Sequence, residues 1–254
     1  MPVQILDKSF LVLETLSREF SGLSVSELSK RVDLNISTVH RILATFSARG
    51  YIQQDDDKQY SLSQKFIELS SSYLGSLDLK EVAAPFLKDM SAVLNMTVFL
   101  ATMMDNHAVY IDRHDNLNKL RCYTIIGERK PLYCTALGKS LLMGFSQREL
   151  DHYIEHCDFQ KFTDTTFNNG DELRKDLEKS RHRGWSVDDE EGVEGVICYA
   201  APIHDYRGHI IAAMSTSINK EDLNSENQQA IIDSLLRVSR LISEKMGYRG
   251  KQDK

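Results

Sequence analysis

Two short helices on either side of a three-residue break constrain this chain more than any other feature. Ser24 followed by Glu27 predicts the start of the first helix, because the hydroxyl can accept from the third helical N–H while the Glu side chain reaches back to the cap residue. Residues 33–35 leave room only for a tight turn, and apolar residues at helical spacing resume directly after it. Two short helices across such a turn predict a helix-turn-helix.

The flanking segments complete a small domain over residues 1–62. An amphipathic helix is predicted at residues 9–17, with a buried face formed by Leu6, Phe10, Leu13 and Leu16. The helix after the turn has an apolar stripe formed by Ile36, Val39, Leu43 and Phe46. Gly50 ends that helix, because glycine takes positive φ easily. Two short alternating segments, 51–54 and 59–62, then predict a β-hairpin, the wing of a winged helix-turn-helix domain.

The charge pattern indicates where this domain would contact a polyanion. A net charge of −6 over 254 residues excludes a polyanion-binding role for the whole surface, so any contact must be local. No acidic residue occurs from 34 to 54, and basic and hydroxyl side chains lie on or beside the face opposite the apolar stripe: Ser37, Thr38, His40, Arg41, Thr45 and Arg49. Such side chains suit phosphates and base edges, so we expect this helix to read double-stranded DNA; an ordinary solvated face is the alternative. Phosphates would repel the aspartates at 55–57, so the helix is expected to carry the specificity.

A linker helix is predicted over residues 63–77. Ser63 can cap its start. An apolar seam interrupted by Gly75 follows, formed by Phe66, Leu69, Tyr73 and Leu77. This seam can pack on its own domain or against the same helix of a second subunit.

A new helix start at Asp78 and Glu81 opens the third segment, residues 78–254. Pro85 either kinks this helix or moves its start to near Ala83. Segments rich in β-branched and aromatic residues predict strands at 97–103, 108–113, 120–126, 197–202 and 209–217. Helical patterns occur at 136–144, 146–154 and 172–183, and a closing helix ends at Gly247. The segment therefore predicts an α+β domain with a mainly antiparallel sheet.

The sequence predicts neither an enzyme nor a metal or cofactor site. Gly138-Lys139-Ser140 ends like a phosphate-binding loop, but Tyr133 stands where that loop needs glycine. Cys134 lies in no nucleophile signature, and the four cysteines contain no C-x-x-C pair. This cysteine pattern and the lack of a signal peptide or an apolar membrane span predict a soluble protein of the reducing cytoplasm.

Three polar features of the third segment suit ligand binding if the fold brings them together. The helix that begins after Thr135 offers free N–H groups and a positive dipole end to a carboxylate. An acidic run follows at residues 188–191, and Ser215 and Ser217 alternate onto one face of a strand. Taken separately, the acidic run is typical of a solvated loop and the serines of spacers.

Along nearly the whole chain, ordered motifs resemble those of the IclR-type transcription regulators. Residues 34–43 with Gly50 and Tyr51 resemble the recognition-helix signature of that family, and residues 127–131 with 133–139 resemble the hallmark of its effector domain. The last signature of the family is matched in order by residues 183–185, 188–191, Gly195, Cys198, 201–202 and 213–217.

The resemblance implies a GAF-like effector domain whose ligand is a small organic acid. It implies that this ligand contacts Ala136, Leu137, Asp188, Cys198, Ser215 and Ser217. It also implies dimers, or dimers of dimers, that bind palindromic operator DNA. Tyr123, Arg129 and residues 131–133 and 246–248 resemble the KdgR-like branch, which controls the use of sugar acids such as 2-keto-3-deoxygluconate.

The leading hypothesis is therefore a ligand-controlled regulator, expected to repress a catabolic operon. One rival is a metabolic enzyme or phosphate-binding domain with an incidental helix-turn-helix, which would need a convergent acid/base pair or a metal set. The other rival is a dimerising adaptor that binds protein through the seam of the linker helix.

Overall fold

The computed structural model describes residues 3–19, 21–74, 78–115 and 125–250, except for the side chains of residues 70–74. The chain divides into two compact units, Met1–Leu77 and Asp78–Lys254, and each has its own hydrophobic core. Several predicted features lie outside the described residues or side chains: Gly75, Leu77, Tyr123, the side chain of Tyr73 and most of the strand expected at 120–126.

The N-terminal unit is a helix-turn-helix followed by a hairpin, as predicted. Its elements are α1 (Gln4–Leu16), α2 (Val25–Arg31), α3 (Ile36–Ala48), β1 (Ile52–Gln54), β2 (Tyr60–Leu62) and α4 (Lys65–Leu74). Ser24 and Glu27 form the expected reciprocal cap at the start of α2. Asn35 caps α3 by accepting the Thr38 N–H at 2.8 Å. The two strands pair antiparallel and form the predicted hairpin.

The buried face of α1 differs from the predicted one. Val12 and Leu16 are buried, whereas Leu6 and Phe10 are 53% and 59% exposed. The expectation for Leu6 and Phe10 was wrong because apolar residues cover more than half of the circumference of this helix. Their spacing alone therefore did not select the face that meets the core.

The apolar stripe of α3 is correct except at its first position. Val39 and Leu43 are buried, and Phe46 packs against the same core. Ile36 is 56% exposed, because it is the first helical residue and lies at the edge of the packed surface. Ile42, which was not assigned to the stripe, is buried.

The predicted cap of α4 is present, and its seam is divided. The Ser63 hydroxyl accepts the Lys65 N–H at 3.1 Å. Phe66 is half-buried and lies against Tyr51, with ring centroids 5.5 Å apart. Leu69 is 50% exposed. Phe66 therefore packs on its own unit, which was one of the two alternatives for the seam. Leu69 is accessible to solvent in this chain.

The C-terminal unit is an α+β domain built on one antiparallel sheet, as predicted. Its elements are α5 (Leu79–Leu94), β3 (Val98–Met104), β4 (His107–His114), β5 (Arg129–Pro131), α6 (Ala136–Leu142), α7 (Gln147–Glu155), α8 (Gly170–Arg183), β6 (Ser186–Asp189), β7 (Val196–His204), β8 (Ile210–Asn219) and α9 (Ser225–Lys245). The strand order is β5-β4-β3-β8-β7-β6. Every pairing in this sheet is antiparallel.

Three details of this unit depart from the prediction. Helix α5 begins at Leu79 and continues through Pro85, so a start near Ala83 is wrong. Ile125 and Ile126, the described end of the strand expected at 120–126, lie in an exposed turn. The two edge strands β5 and β6 were not predicted, because they are short and lack apolar alternation.

The sheet carries helices on both faces. Helix α6 packs on one face, against a core that includes Phe99, Ala200 and Ala213. Helices α5 and α9 pack together and contact strands β3, β4, β7 and β8. Helix α6 itself contacts mainly β7 and β8. Among the described residues, no helix combines the length and the apolar character that crossing a membrane requires.

Candidate functional site

Helix α3 presents the side chains that were expected to read DNA. Ser37, Thr38, His40, Arg41, Thr45 and Arg49 all lie away from its buried stripe; Thr38 is half-buried and the others are exposed. Within the described residues, neither Arg41 nor Arg49 is paired with a carboxylate. Both guanidinium groups therefore offer free donors at the surface of this helix.

Two hydroxyl groups of α3, those of Ser37 and Thr45, already donate hydrogen bonds within the helix region. The Ser37 hydroxyl donates to Asn35 Oδ1 at 2.9 Å, and the Thr45 hydroxyl donates to the Arg41 carbonyl at 2.9 Å. In these rotamers each hydroxyl keeps acceptor lone pairs but has no spare donor. The expected DNA-contact residues that keep a donor available are therefore Arg41, Arg49, His40 and the half-buried Thr38.

A cavity of about 350 Å³ in the C-terminal unit is lined by both the start of α6 and the sheet. We call it the α6 cavity. It is lined by all six residues that the resemblance assigned to ligand binding: Ala136, Leu137, Asp188, Cys198, Ser215 and Ser217. The three polar features that the sequence left separate therefore meet at one place.

Strand register explains this convergence. Asp188 of β6 is the cross-strand partner of Cys198 of β7, which is in turn the partner of Ser217 of β8. Directly paired residues point to the same face of a sheet, so the three side chains form a row. Cys198 Sγ lies 3.1 Å from Ser217 Oγ. Ser215, two residues earlier on β8, points to the same face.

The N-terminus of α6 faces this row. Thr135 is the N-cap, and its hydroxyl accepts the Gly138 N–H at 3.1 Å. The N–H groups of Ala136 and Leu137 precede that bond and have no partner within the helix. The Ser186 hydroxyl donates to the Ala136 carbonyl at 2.6 Å, which ties the helix start to β6. Two backbone donors are thereby held at the wall of the cavity.

A buried cation behind the α6 cavity was not predicted. Lys139 is fully buried, with Nζ 2.5 Å from Glu191 Oε1 and 3.2 Å from Asp176 Oδ2. It connects α6, α8 and the loop that follows β6. Burial raises the pKa of Glu191, and the ammonium group opposes that effect. Lys139 in the Gly-Lys-Ser sequence is therefore a structural cation.

Other residues of the cavity wall were also missed. Phe99 and Tyr110 form an edge-to-face pair with centroids 5.5 Å apart. Lys130 and Glu128 form an ion pair of 2.5 Å, and both line the cavity. Lys130 lies on the unpredicted strand β5; the motif at 127–131 covers it, but no ligand contact was assigned to it. The aromatic pair follows from the pairing of β3 with β4, which sequence spacing does not specify.

The thiol of Cys134 is unreactive although the residue lines the α6 cavity. Burial raises the pKa of its thiol to about 12. The thiol is therefore protonated at neutral pH, whereas nucleophilic attack and metal binding need the thiolate. This agrees with the expectation that Cys134 is a buried cysteine rather than a nucleophile.

Asp188 is the buried acid of the row. Its Oδ1 accepts the Glu191 N–H at 2.7 Å and the Gly192 N–H at 3.2 Å. Burial raises its pKa to about 6, while Lys139 and the two N–H donors oppose the rise. The side chain can therefore either accept or donate a hydrogen bond near neutral pH.

This pKa predicts a pH-dependent stability. The folded-state pKa lies above the ordinary value of 3.8, so the folded form binds more protons than the unfolded form between about pH 4 and 6. As the pH rises from about 4 to 6, the contribution of Asp188 to the free energy of unfolding should fall by up to about 3 kcal/mol, because the buried carboxyl must give up its proton. Asp188→Asn should lack that decrease, and urea unfolding from pH 4 to 7 measures it. Exposed Asp233→Asn is the control, and parallel curves for wild type and Asp188→Asn would contradict the prediction.

Comparisons with known proteins agree with both units. The model of the IclR helix-turn-helix domain matches residues 5–56, and the model of the bacterial transcriptional regulator IclR C-terminal domain matches residues 71–244. The chain is 34% identical over 242 residues to the HTH-type transcriptional regulator KdgR of Dickeya chrysanthemi, covering 95% of this chain and 79% of that protein. KdgR of Escherichia coli K12 is also 34% identical over 242 residues, covering 95% and 92%. The crystal structure of the Agrobacterium tumefaciens repressor BlcR is 25% identical, with a TM-score of 0.77 over 97% of this chain and 98% of that one.

Proposed function

Because this chain belongs to the IclR family of transcriptional regulators, we propose that it represses a catabolic operon under the control of a small organic acid. It is a DNA-binding regulator and not an enzyme. Its KdgR relatives are likewise named HTH-type transcriptional regulators. One observation supports the proposal most: the six residues expected to contact the ligand line one cavity. The other unit exposes helix α3, which contains no acidic residue. We place its action in the cytoplasm, on a palindromic operator, as a dimer or a dimer of dimers.

The geometry of the α6 cavity suits a carboxylate that also carries hydroxyl groups. The N–H groups of Ala136 and Leu137 would hold the carboxylate, where the helix dipole favours negative charge. Ser215 and Ser217 add hydroxyl donors, and Asp188 can accept from a hydroxyl of the ligand. A volume of about 350 Å³ suits a small sugar acid. Its likeness to KdgR makes 2-keto-3-deoxygluconate the first compound to test.

The GAF-like unit would control DNA through a difference in affinity. A ligand shifts operator binding only if it binds the DNA-competent and DNA-incompetent forms unequally. A coupling of about 1–3 kcal/mol is usual for such proteins. We assign the linker helix over residues 63–77 as the element between the DNA-binding domain 1–62 and the effector domain 78–254.

Gel shift and footprinting on the DNA upstream of the operon that contains the gene test the DNA-binding part. We expect protection of a palindromic site at moderate salt. Dimers without any DNA affinity would favour the adaptor hypothesis instead. A thermal-shift screen of small sugar acids tests the sensor, since a ligand at a hundred times its Kd adds about 2.7 kcal/mol of stability. Ser217→Ala should reduce that gain.

Arg41→Ala should weaken specific operator binding by about 1–3 kcal/mol if this side chain reads a base. Arg41 is exposed on α3 and has a free guanidinium within the described residues, so the variant is expected to fold normally. Arg18→Ala removes the same charge from another exposed position of the N-terminal unit and serves as the control. Gel-shift titration on the operator and on scrambled DNA separates a contact with a base from a contact with a phosphate. An equal loss on both DNAs would assign Arg41 to a phosphate rather than to a base.

A further inference from the structure

Three side chains with metal-ligand chemistry meet at the end of α7. His152, Glu155 and His156 are spaced i, i+3 and i+4, which places them on one face of the helix. All three are exposed, and one ligand atom from each lies within 4.8 Å of the others. The two imidazole centroids are 4.4 Å apart. Within the described ranges, no other group of three histidine, cysteine or acidic side chains brings its ligand atoms this close together.

The backbone of α7 prepares His156 as a ligand. Its Nδ1 lies 2.9 Å from the carbonyl oxygen of His152, and a carbonyl can only accept, so Nδ1 donates. In the neutral ring this leaves the lone pair on Nε2. Metal-binding histidines commonly donate their second ring nitrogen in this way, which fixes the tautomer and the ring orientation. His156 is also the C-cap of α7, where the negative end of the helix dipole favours a cation.

Arg148 lies one turn before His152 on the same face of α7, and its exposed side chain can extend into solvent when an ion binds. Asp151 is already paired with Arg174 at 2.5 Å. Cys157 follows His156 directly, but it is half-buried and its thiol donates to the Tyr153 hydroxyl at 3.5 Å. None of the three cluster residues lines the α6 cavity.

We propose that His152, Glu155 and His156 form a binding site for a divalent transition metal of the zinc and nickel class. Two imidazole nitrogens and one carboxylate oxygen bind the ion, and water completes its coordination. Imidazole ligands suit Zn²⁺, Ni²⁺ and Cu²⁺, whereas Mg²⁺ and Ca²⁺ prefer sites made entirely of oxygen. The site is independent of the proposed effector.

Calorimetric titration of the full chain, prepared without a histidine tag, tests this proposal. We expect one Zn²⁺ per chain, and no heat from Mg²⁺ at the same concentration. The double variant His152→Gln/His156→Gln should lose more than roughly 100-fold in Zn²⁺ affinity. Loss of a residue that only supports a ligand costs roughly 10–100-fold, and here two ligands are removed. His182→Gln, which changes an exposed histidine at the end of α8, should bind as the wild type does.

Two results would overturn the site. One is equal Zn²⁺ affinity and stoichiometry in the double variant and in the wild type. The other is a thiolate-to-cobalt charge-transfer band when Co²⁺ replaces Zn²⁺, since that band would place the metal on a cysteine. Because all three side chains are exposed, the variants should unfold at the wild-type urea concentration. If the double variant does not fold, Glu155→Gln alone must still weaken Zn²⁺ binding for the proposal to stand.

Discussion

Lys139→Ala is expected to destabilise the C-terminal unit by about 3–5 kcal/mol at pH 8. The Nζ of the fully buried lysine lies within 3.2 Å of carboxylate oxygens of Glu191 and Asp176. Without the ammonium group, these carboxylates lose the charge that offsets their removal from water. Urea unfolding followed by tryptophan fluorescence measures the loss, because Trp185, the one tryptophan of the chain, lies in this unit.

Three comparisons separate the buried charge from a general effect of losing a lysine. Exposed Lys175→Ala on the neighbouring helix α8 should change stability by no more than about 0.5 kcal/mol. Part of the loss in Lys139→Ala should be recovered at pH 5, because burial already raises the pKa of Glu191 and protonation removes its charge. Lys139→Met/Glu191→Gln should be more stable than Lys139→Ala. A loss below about 1 kcal/mol for Lys139→Ala at pH 8 would contradict the structural role.

Gly138→Ala should give the second large effect, on both stability and ligand response. A methyl group at this position would lie 2.4 Å from Leu132 Cα and from the carbonyl oxygen of the same residue. Backbone atoms cannot rotate away, so α6 must move, at a cost of about 1–3 kcal/mol or more. The shift carries the N–H groups of Ala136 and Leu137 away from their present positions. The variant should therefore lose most of the thermal stabilisation given by a carboxylate ligand.

Gly144→Ala is the matched control for this substitution. The three atoms nearest to its methyl would belong to the Ile210 side chain, with Cβ closest at 3.2 Å, so a displacement of a few tenths of an ångström suffices, against a 2.4 Å clash with backbone for Gly138. We expect near-wild-type stability and ligand response. Operator binding without ligand should survive in both variants, since the helix-turn-helix lies in the other unit. An unchanged ligand response in Gly138→Ala would show that the start of α6 does not contact the effector.

The features that the sequence predicts well are local ones. The cap at Ser24 follows from a hydroxyl and a glutamate three residues apart, a relation that needs no tertiary contact. The wing hairpin also follows from short-range signals, with turn residues between alternating segments. The antiparallel sheet could be predicted because most of its strands have clear apolar content.

The features that the sequence missed depend on distant partners. Strand β6 reads Ser-Val-Asp-Asp, and its acidic residues resemble a solvated loop, although Asp188 is buried at the wall of the α6 cavity. The burial of Lys139 depends on Glu191, which is 52 residues away. The row of Asp188, Cys198 and Ser217 depends on a strand register that no single segment encodes. Only the family resemblance named those residues together.

The row across β6, β7 and β8 has a consequence for how ligand preference can change. The strands are held by backbone hydrogen bonds, which do not depend on the identity of the three side chains. Each position contributes one chemical group to the same wall: a carboxyl, a thiol and a hydroxyl. An exchange at one position can therefore change the chemistry of the wall and leave the ladder beneath it intact. For the proposed effector, this means that ligand choice can change one side chain at a time on a scaffold that stays constant.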